Sequence, residues 1–360
     1  MAKKFTLDYD PKYLDKFRKE NYTRISTFED LVDAYVKDTL DAQHHRVRVG
    51  APSADNYLRL SKSDVITIIS HTGGRKTQYA RNVILDNAKV LDNKLMIVFS
   101  LELLQGDEGE RYLTMLMDKS GEDLEADVIH NHKDFTKRGY QAGQTGKLNN
   151  LITITETIDI ADMIPFVRWV QEMRGGMEVG LIVLDYIQLV ENDEKRGAYD
   201  QLGDIAKKLK KVNLALGVPI INISQVNRDA ARNKMDLFSG KGSGEIENSS
   251  QVLLKLERPD PNEEYPIKKG EHDLKKFPFG KDQEAVIKYL EANENIEMHK
   301  LTILKQKKIR SKVKKPTCYI AFDRLNLTMK EWYVPEKPGR EPIIDVPKKQ
   351  DEDEDEENLF

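Results

Sequence analysis

The sequence contains a single cysteine, Cys318, among its 360 residues. One thiol cannot form an intrachain disulfide, so a disulfide-stabilised secreted framework is excluded. No apolar run approaches the roughly 18 residues that a membrane-spanning helix needs, and we expect no membrane association. The residues after Met1 also lack the apolar core of a secretory signal. These absences predict a protein of a reducing, soluble compartment, the cytoplasm.

Charged residues are distributed unevenly along the chain. Residues 351–360 hold seven acids and no base, and the chain without them has a net charge of +3 instead of −4. Residues 305–315 carry seven positive charges in eleven residues. That density suits a polyanion such as nucleic acid, although a charge run is also common on solvated surfaces.

Length and composition predict one large domain with appendages. Hydrophobic residues make up 39% of the chain, and single cores stop growing at roughly 250–300 residues. Residues 1–47 form an N-terminal region whose one amphipathic helix, at 28–40, packs on its own domain or on a neighbouring subunit. Thr27 could cap that helix. Residues 48–334 form the main domain, with a charged insertion near 257–297, and residues 335–360 form a disordered acidic tail.

Short apolar runs alternate with helical segments from about residue 62 onward. Such near-continuous runs indicate an α/β fold with a mostly parallel sheet covered on both faces, and the last runs extend it with antiparallel strands. The runs lie at 65–69, 95–99, 181–184, 218–223, 252–256, 301–304 and 318–322. Helices are predicted at 78–88, 162–173 and 199–216.

The first apolar run leads into a sequence similar to a phosphate-binding loop. Residues 70–77 read Ser-His-Thr-Gly-Gly-Arg-Lys-Thr, where the Walker A pattern is Gly-x-x-x-x-Gly-Lys-Ser/Thr. Lys76 would contact the terminal phosphates of ATP or another nucleotide, and Thr77 would bind Mg²⁺. The competing interpretation is an ordinary strand-to-helix turn with a fortuitous Lys-Thr pair.

The glycines of this loop are not where the pattern has them. Ser70 and Arg75 occupy the two glycine positions, whereas Gly73 and Gly74 lie between them and would supply the flexibility. Arg75 either distorts the anion-binding nest or adds positive charge to it.

Polar residues also follow three other apolar runs. Asp185 would hold Mg²⁺ directly or through water, unless it only ends a structural turn. Glu102 would act as general base toward an attacking water, or it stabilises a helix N-terminus. Gln225 is placed to sense a γ-phosphate and to transmit hydrolysis to the basic segment that follows. The basic residues of that segment are candidates for DNA contact: Arg228, Arg232, Lys234 and Lys241.

Taken together and in this order, the motifs resemble the RecA-like motor domain of DnaB-type hexameric replicative helicases over about residues 48–330. The matching blocks lie at 70–77, 98–102, 181–189, 218–228, 243–253, 305–307 and 321–323. The resemblance implies a RecA-like P-loop NTPase core that needs ATP and Mg²⁺, and a homo-hexameric ring that moves along single-stranded DNA in a phage-like replication system. It also implies that Lys305 and Lys307 reach into the neighbouring subunit's site.

Several features depart from the family pattern. Lys241 and Lys307 stand where the family commonly has arginine, and a lysine finger would stabilise the transition state less because it lacks the bidentate fork. The family's separate N-terminal domain, which contacts primase, is expected to be absent. The acidic tail, ending in Phe360, would dock on a polymerase, primase or single-stranded DNA-binding protein, or it only solubilises the chain.

Two other functions stay open at this point. A RecA-like DNA-binding scaffold or recombination mediator with weak or lost ATPase activity is favoured by Arg75. A small-molecule nucleotide kinase is disfavoured by the basic stretch at 305–315 and by the lack of a lid-type arginine cluster.

Overall fold

A computed structural model describes residues 26–191, 198–226, 243–258, 295–307 and 315–332. The chain divides into two compact units, Met1–Arg46 and Val47–Phe360, so the division falls one residue before the predicted boundary. The predicted acidic tail, the DNA-contacting segment after Gln225 and most of the charged insertion lie outside the described residues.

The first unit contains helix α1, Phe28–His44, which continues four residues beyond its predicted end. Thr27 caps it as predicted, because its hydroxyl accepts from the amide of Asp30 at 3.2 Å while the Asp30 carboxylate accepts from the amide of Thr27 at 2.7 Å. No residue of α1 is buried, and its apolar side chains, Tyr35 among them, are exposed.

The second unit is organised around a nine-stranded sheet of order β3-β2-β4-β5-β1-β6-β7-β8-β9. Pairings from β3 to β6 are parallel and those from β6 to β9 are antiparallel, as predicted. The strands are β1 Val65–His71, β2 Leu95–Ser100, β3 Leu151–Ile154, β4 Val179–Asp185, β5 Ile220–Val226, β6 Val252–Glu257, β7 Ile296–Gln306, β8 Thr317–Asp323 and β9 Met329–Trp332. The predicted insertion therefore begins and ends within strands, at Glu257 and at Glu297.

Helices cover both faces of this sheet. The bounds of those in the second unit are α2 Pro52–Leu58, α3 Lys76–Val90, α4 Gln105–Met117, α5 Gly121–Thr145, α6 Met163–Met173, α7 Ala198–Leu216 and α8 Ser243–Ser249. One apolar core lies between the sheet and α2 and α3, and a second lies between the opposite face and α6 and α7. Strands β2 and β4 are buried along their whole length, as strands between two helical layers must be. Within the described ranges, no helix is long and apolar enough to cross a membrane.

The antiparallel half of the sheet contacts helix α3, which follows the phosphate loop. Gln78 donates its side-chain amide to the carbonyl of Asp323 at 2.8 Å. One turn later, Asn82 donates to the carbonyl of Leu327 at 2.8 Å and accepts from the amide of Met329 at 2.9 Å. These contacts fix α3 against the turn between β8 and β9.

Candidate functional site

The candidate site lies where parallel strands end together. His71 of β1 is in register with Val226 of β5, and Ser100 of β2 is in register with Asp185 of β4. Because carboxyl ends of parallel strands share one edge of a sheet, residues just beyond them converge there. This arrangement explains why the phosphate loop and the three later polar residues, Glu102, Asp185 and Gln225, lie near the same edge of the sheet.

The phosphate loop depends on three residues before helix α3. Gly73 has a φ of +77°, and a Cβ at Gly74 would collide with the hydroxyl of Ser70. The next residue, Arg75, is also left-handed, with a φ of 59°. An L-residue in that conformation costs about 1–2 kcal/mol, so Arg75 keeps the backbone shape of a glycine at an energetic cost.

The side chain of Arg75 forms a bidentate ion pair with Glu297 on β7. Its Nε and one terminal nitrogen each lie 2.9 Å from a carboxylate oxygen of Glu297. Arg258 and Arg324 approach the same carboxylate at 3.3 and 3.7 Å, and the hydrogen bonds from Arg75 lower the pKa of Glu297. The charge that Arg75 brings to the loop is thus paired with a carboxylate 222 residues away in sequence. Sequence reasoning missed this ion pair.

Lys76 and Glu102 lie close together at this edge. The ammonium of Lys76 lies 3.8 Å from the carboxylate of Glu102 and 5.0 Å from the ring centroid of Tyr186. Lys76 is 7% exposed, whereas the Glu102 side chain is 41% exposed. A buried cation next to an accessible carboxylate suits the binding of a phosphate close to a solvent molecule.

Gln225 contacts the phosphate loop directly. Its side-chain amide donates to the hydroxyl of Thr72 at 2.8 Å. The side chain of Gln188 fixes the backbone at this point, since it accepts from the amide of Gln225 at 3.3 Å and donates to its carbonyl at 2.8 Å. Sequence reasoning did not identify Gln188, although it lies three residues after Asp185 in a motif that had been singled out.

Asp185 is completely buried and contacts an arginine that the sequence analysis did not consider. Arg81 of helix α3 holds one oxygen of Asp185 and also contacts Glu108 and Ser100. The other oxygen of Asp185 is buried without a hydrogen-bond partner. Arg81 lies within the helix predicted at 78–88, and no local pattern in the sequence marks its contact with Asp185.

The donor groups fit a magnesium ion. Mg²⁺ is usually held by one or two carboxylates together with substrate phosphates and water. Asp185 provides one buried, unpartnered oxygen, and Thr77 lies in the first turn of α3 beside Lys76. Among the residues that the structure describes, no three carboxylate, imidazole or thiol side chains form a metal-binding group.

Lys305 and Lys307 both contact the C-terminal end of helix α8. Lys305 donates to the carbonyl of Glu247 at 2.6 Å, and Lys307 donates to the carbonyl of Asn248. Partial burial, followed by the charge of Lys305, lowers the pKa of Lys307. Their proposed action in a neighbouring subunit remains a prediction, and Arg228, Arg232, Lys234 and Lys241 lie outside the described residues.

Comparison with protein families identifies one matching model over most of the chain. The model of the DnaB-like helicase C-terminal domain matches residues 49–314. A probable plasmid replicative DNA helicase of Chlamydia trachomatis is 24% identical over 221 residues, which are 61% of this chain and 48% of the relative. The replicative DNA helicase DnaB of Geobacillus stearothermophilus is 24% identical over 268 residues, 70% and 57% of the two chains. The chain spans about half the length of these curated relatives.

Solved structures show the same fold. An ATPase domain superposes with a TM-score of 0.63 at 17% identity, covering 86% of this chain and 100% of that domain. A DnaB-like replicative helicase, described with its interactions with primase, superposes with a TM-score of 0.58 at 18% identity, covering 85% and 67%. The predicted RecA-like α/β ATPase fold is confirmed.

Proposed function

Because this chain belongs to the family of DnaB-like helicase C-terminal domains, we propose that it is the ATP-hydrolysing motor of a replicative DNA helicase. The observation that carries the proposal is the meeting of Lys76 with Glu102, 3.8 Å apart at the carboxyl edge of the parallel strands. The match to the family model identifies the family. The geometry of Lys76 and Glu102 supports a site that hydrolyses a nucleotide.

Each residue at the edge has a role that follows from its position. The amide of Gly74 donates to the carbonyl of His71 at 3.0 Å, so the phosphates are bound by other amides of the loop, such as that of Gly73. Lys76 neutralises the terminal phosphates. Glu102 orients the attacking water and accepts its proton. Gln225 senses the γ-phosphate through its contact with Thr72.

Thr77 and the free oxygen of Asp185 would hold Mg²⁺, which neutralises charge on the phosphates when it is bound. Arg75 contributes the loop's backbone conformation, while its side chain stays with Glu297.

We further propose that the motor acts as a homo-hexameric ring on single-stranded DNA in the cytoplasm. In this proposal Lys305 and Lys307 leave the end of helix α8 and enter the neighbouring site. The basic residues after Gln225 would contact the DNA backbone, because phosphate contacts supply most of sequence-independent affinity. Primase, polymerase or a single-stranded DNA-binding protein would dock on the acidic tail.

A DNA-binding scaffold with weak hydrolysis is the second candidate. Two observations favour it: Asp185 is already held by Arg81, and Arg75 occupies a left-handed position suited to glycine. The intact set of Lys76, Glu102 and Gln225 favours the motor.

ATP hydrolysis by the purified chain, with and without single-stranded DNA, separates these functions. The motor predicts turnover that DNA stimulates and that Lys76→Ala abolishes, because the terminal phosphates lose their cation. Lys89→Ala, an exposed lysine in the last turn of the same helix, is the matched control and should behave as the wild type. Absence of turnover with DNA binding retained would make the scaffold the better description.

A further inference from the structure

One buried guanidinium joins four elements around the candidate site. Arg81 of α3 is fully buried, and three of its nitrogens have partners. It contacts the Oδ2 atom of Asp185 at the end of β4, and it lies 2.6 Å from the hydroxyl of Ser100 at the end of β2. It also holds the Oε2 atom of Glu108 on α4, at 2.6 and 3.1 Å.

The charges in this network do not cancel. One arginine faces two carboxylates, those of Glu108 and Asp185, and all three groups are buried. Burial of an uncompensated charge is costly unless another cation or further hydrogen bonds stabilise it. One oxygen of each carboxylate, Oε1 of Glu108 and Oδ1 of Asp185, has no hydrogen-bond partner.

Only one of these two free oxygens belongs to the candidate site. Asp185 ends β4 and is in register with Ser100, which lies two residues before Glu102. Glu108, in contrast, lies within the first turn of α4. Arg81 therefore commits one oxygen of Asp185 and leaves the other without a partner, and Asp185 itself ends β4 at the edge where the phosphate loop, Lys76 and Glu102 meet.

We propose that Arg81 is a positioning residue that presents Asp185 to the nucleotide's cation through a single oxygen. The inference rests on the proposed nucleotide site. Arg81 would then have two opposed effects on cation binding by Asp185. The guanidinium holds the carboxylate in one orientation, and it offsets part of the negative charge that attracts the cation.

These effects predict a signature that an arginine with only a structural role would not give. Loss of Arg81 should tighten Mg²⁺ binding, because the charge of Asp185 is no longer offset. A neighbouring arginine changes the proton affinity of a carboxylate by about tenfold or more, and we expect about tenfold for the metal as well. Turnover should fall at the same time, because the carboxylate loses its fixed orientation.

The test measures binding of a fluorescent, non-hydrolysable ATP analogue while MgCl₂ is varied, so the readout does not depend on activity. Arg81→Met alone would leave two buried carboxylates without a cation. The variant of choice is therefore Arg81→Met with Glu108→Gln, which keeps the network's charge of −1. Arg81→Lys is the second variant, since it keeps the cation and loses the fork. Arg138→Met is the control, because Arg138 also contacts two carboxylates but on helix α5, where its side chain is partly exposed to solvent.

We expect half-saturating Mg²⁺ to fall about tenfold in the double variant, whereas Arg81→Lys, which keeps the cation, should stay near the wild-type value. We expect kcat to be reduced in both variants and Arg138→Met to be unchanged. Folding is checked by circular dichroism, and Arg81→Gln with Glu108→Gln carries the test if the methionine variant does not fold. An unchanged Mg²⁺ dependence in a folded variant that lacks the cation would overturn the role of Arg81 and leave the proposed function intact. Wild-type protein that binds no nucleotide at any Mg²⁺ concentration would overturn both.

Discussion

The parallel half of the sheet, β1 to β6, and the antiparallel half, β6 to β9, serve the candidate site differently. In the parallel half the groups proposed to react lie at or just beyond strand ends, where Lys76 is 3.8 Å from Glu102. In the antiparallel half the groups belong to strands and turns that hold helix α3 and the loop before it, such as Glu297 against Arg75. The parallel half positions the side chains proposed to react. The antiparallel half stabilises helix α3 and the loop before it, which carry Lys76. Substitutions in the two halves should therefore separate turnover from stability.

The largest effect is expected from Glu102→Gln in the parallel half. Loss of the proposed general base should lower kcat by about a hundredfold or more, while nucleotide binding and thermal stability stay at wild-type values. Steady-state ATPase assays and analogue binding measure the two quantities. Glu125→Gln on exposed helix α5 provides the control for removal of one surface charge. Full activity in Glu102→Gln would show that the base is another group.

An intermediate effect, on stability alone, is expected from His299 in the antiparallel half. Burial lowers the pKa of His299 to about 4, and the ring packs edge-on against Phe322 at 4.9 Å. The unfolded chain takes up a proton near pH 6.5 while the folded ring stays neutral, so this group's contribution to stability falls as pH drops from 6.5 toward 4. Between pH 7 and pH 5 the loss is about 2 kcal/mol.

The quantity to measure is the difference between wild type and His299→Leu, by chemical denaturation at both pH values. Burial raises the pKa of Asp55 to about 7, so that carboxyl acts in the opposite direction and the wild type alone is not informative. His130→Leu, on exposed helix α5, should keep the wild-type pH dependence. The assignment fails if His299→Leu keeps it too.

The smallest effect is expected at Arg75, where the two halves meet. Arg75→Ala and Arg75→Gly both lose the ion pair with Glu297, but only alanine keeps the strain of a φ of 59°. We expect the alanine variant to be less stable than the glycine variant by about 1 kcal/mol. Thermal unfolding of the pair measures this, and equal stabilities would mean that the loop changes its backbone when the side chain is removed.

The same division explains how much of the molecule could be predicted. Strand ends in a parallel sheet can be predicted from sequence because apolar runs are followed directly by polar residues. The positions of Glu102, Asp185 and Gln225 near strand ends were predicted in this way, and their roles stay predictions. Contacts between side chains distant in sequence leave no local pattern. Arg81 contacts Asp185 across 104 residues, and Arg75 contacts Glu297 across 222.

Some secondary structure was also missed. Helices α4 and α5 were not predicted, although Ser120 and Asp123 form a capping box at the start of α5. Strand β3, four residues long and only partly buried, and β9 are too short to give a clear alternation.

The hydrogen bond between Gln225 and Thr72 has a consequence for the reversibility of the proposed motor. In the proposed cycle, the N–H of Gln225 that donates to the loop exchanges that acceptor for a phosphate oxygen when nucleotide is bound. Since one hydrogen bond replaces another, the net change is a fraction of the roughly 1 kcal/mol that a single bond contributes. The amide can return to Thr72 as soon as the phosphate leaves, and each cycle would begin from the same resting contact.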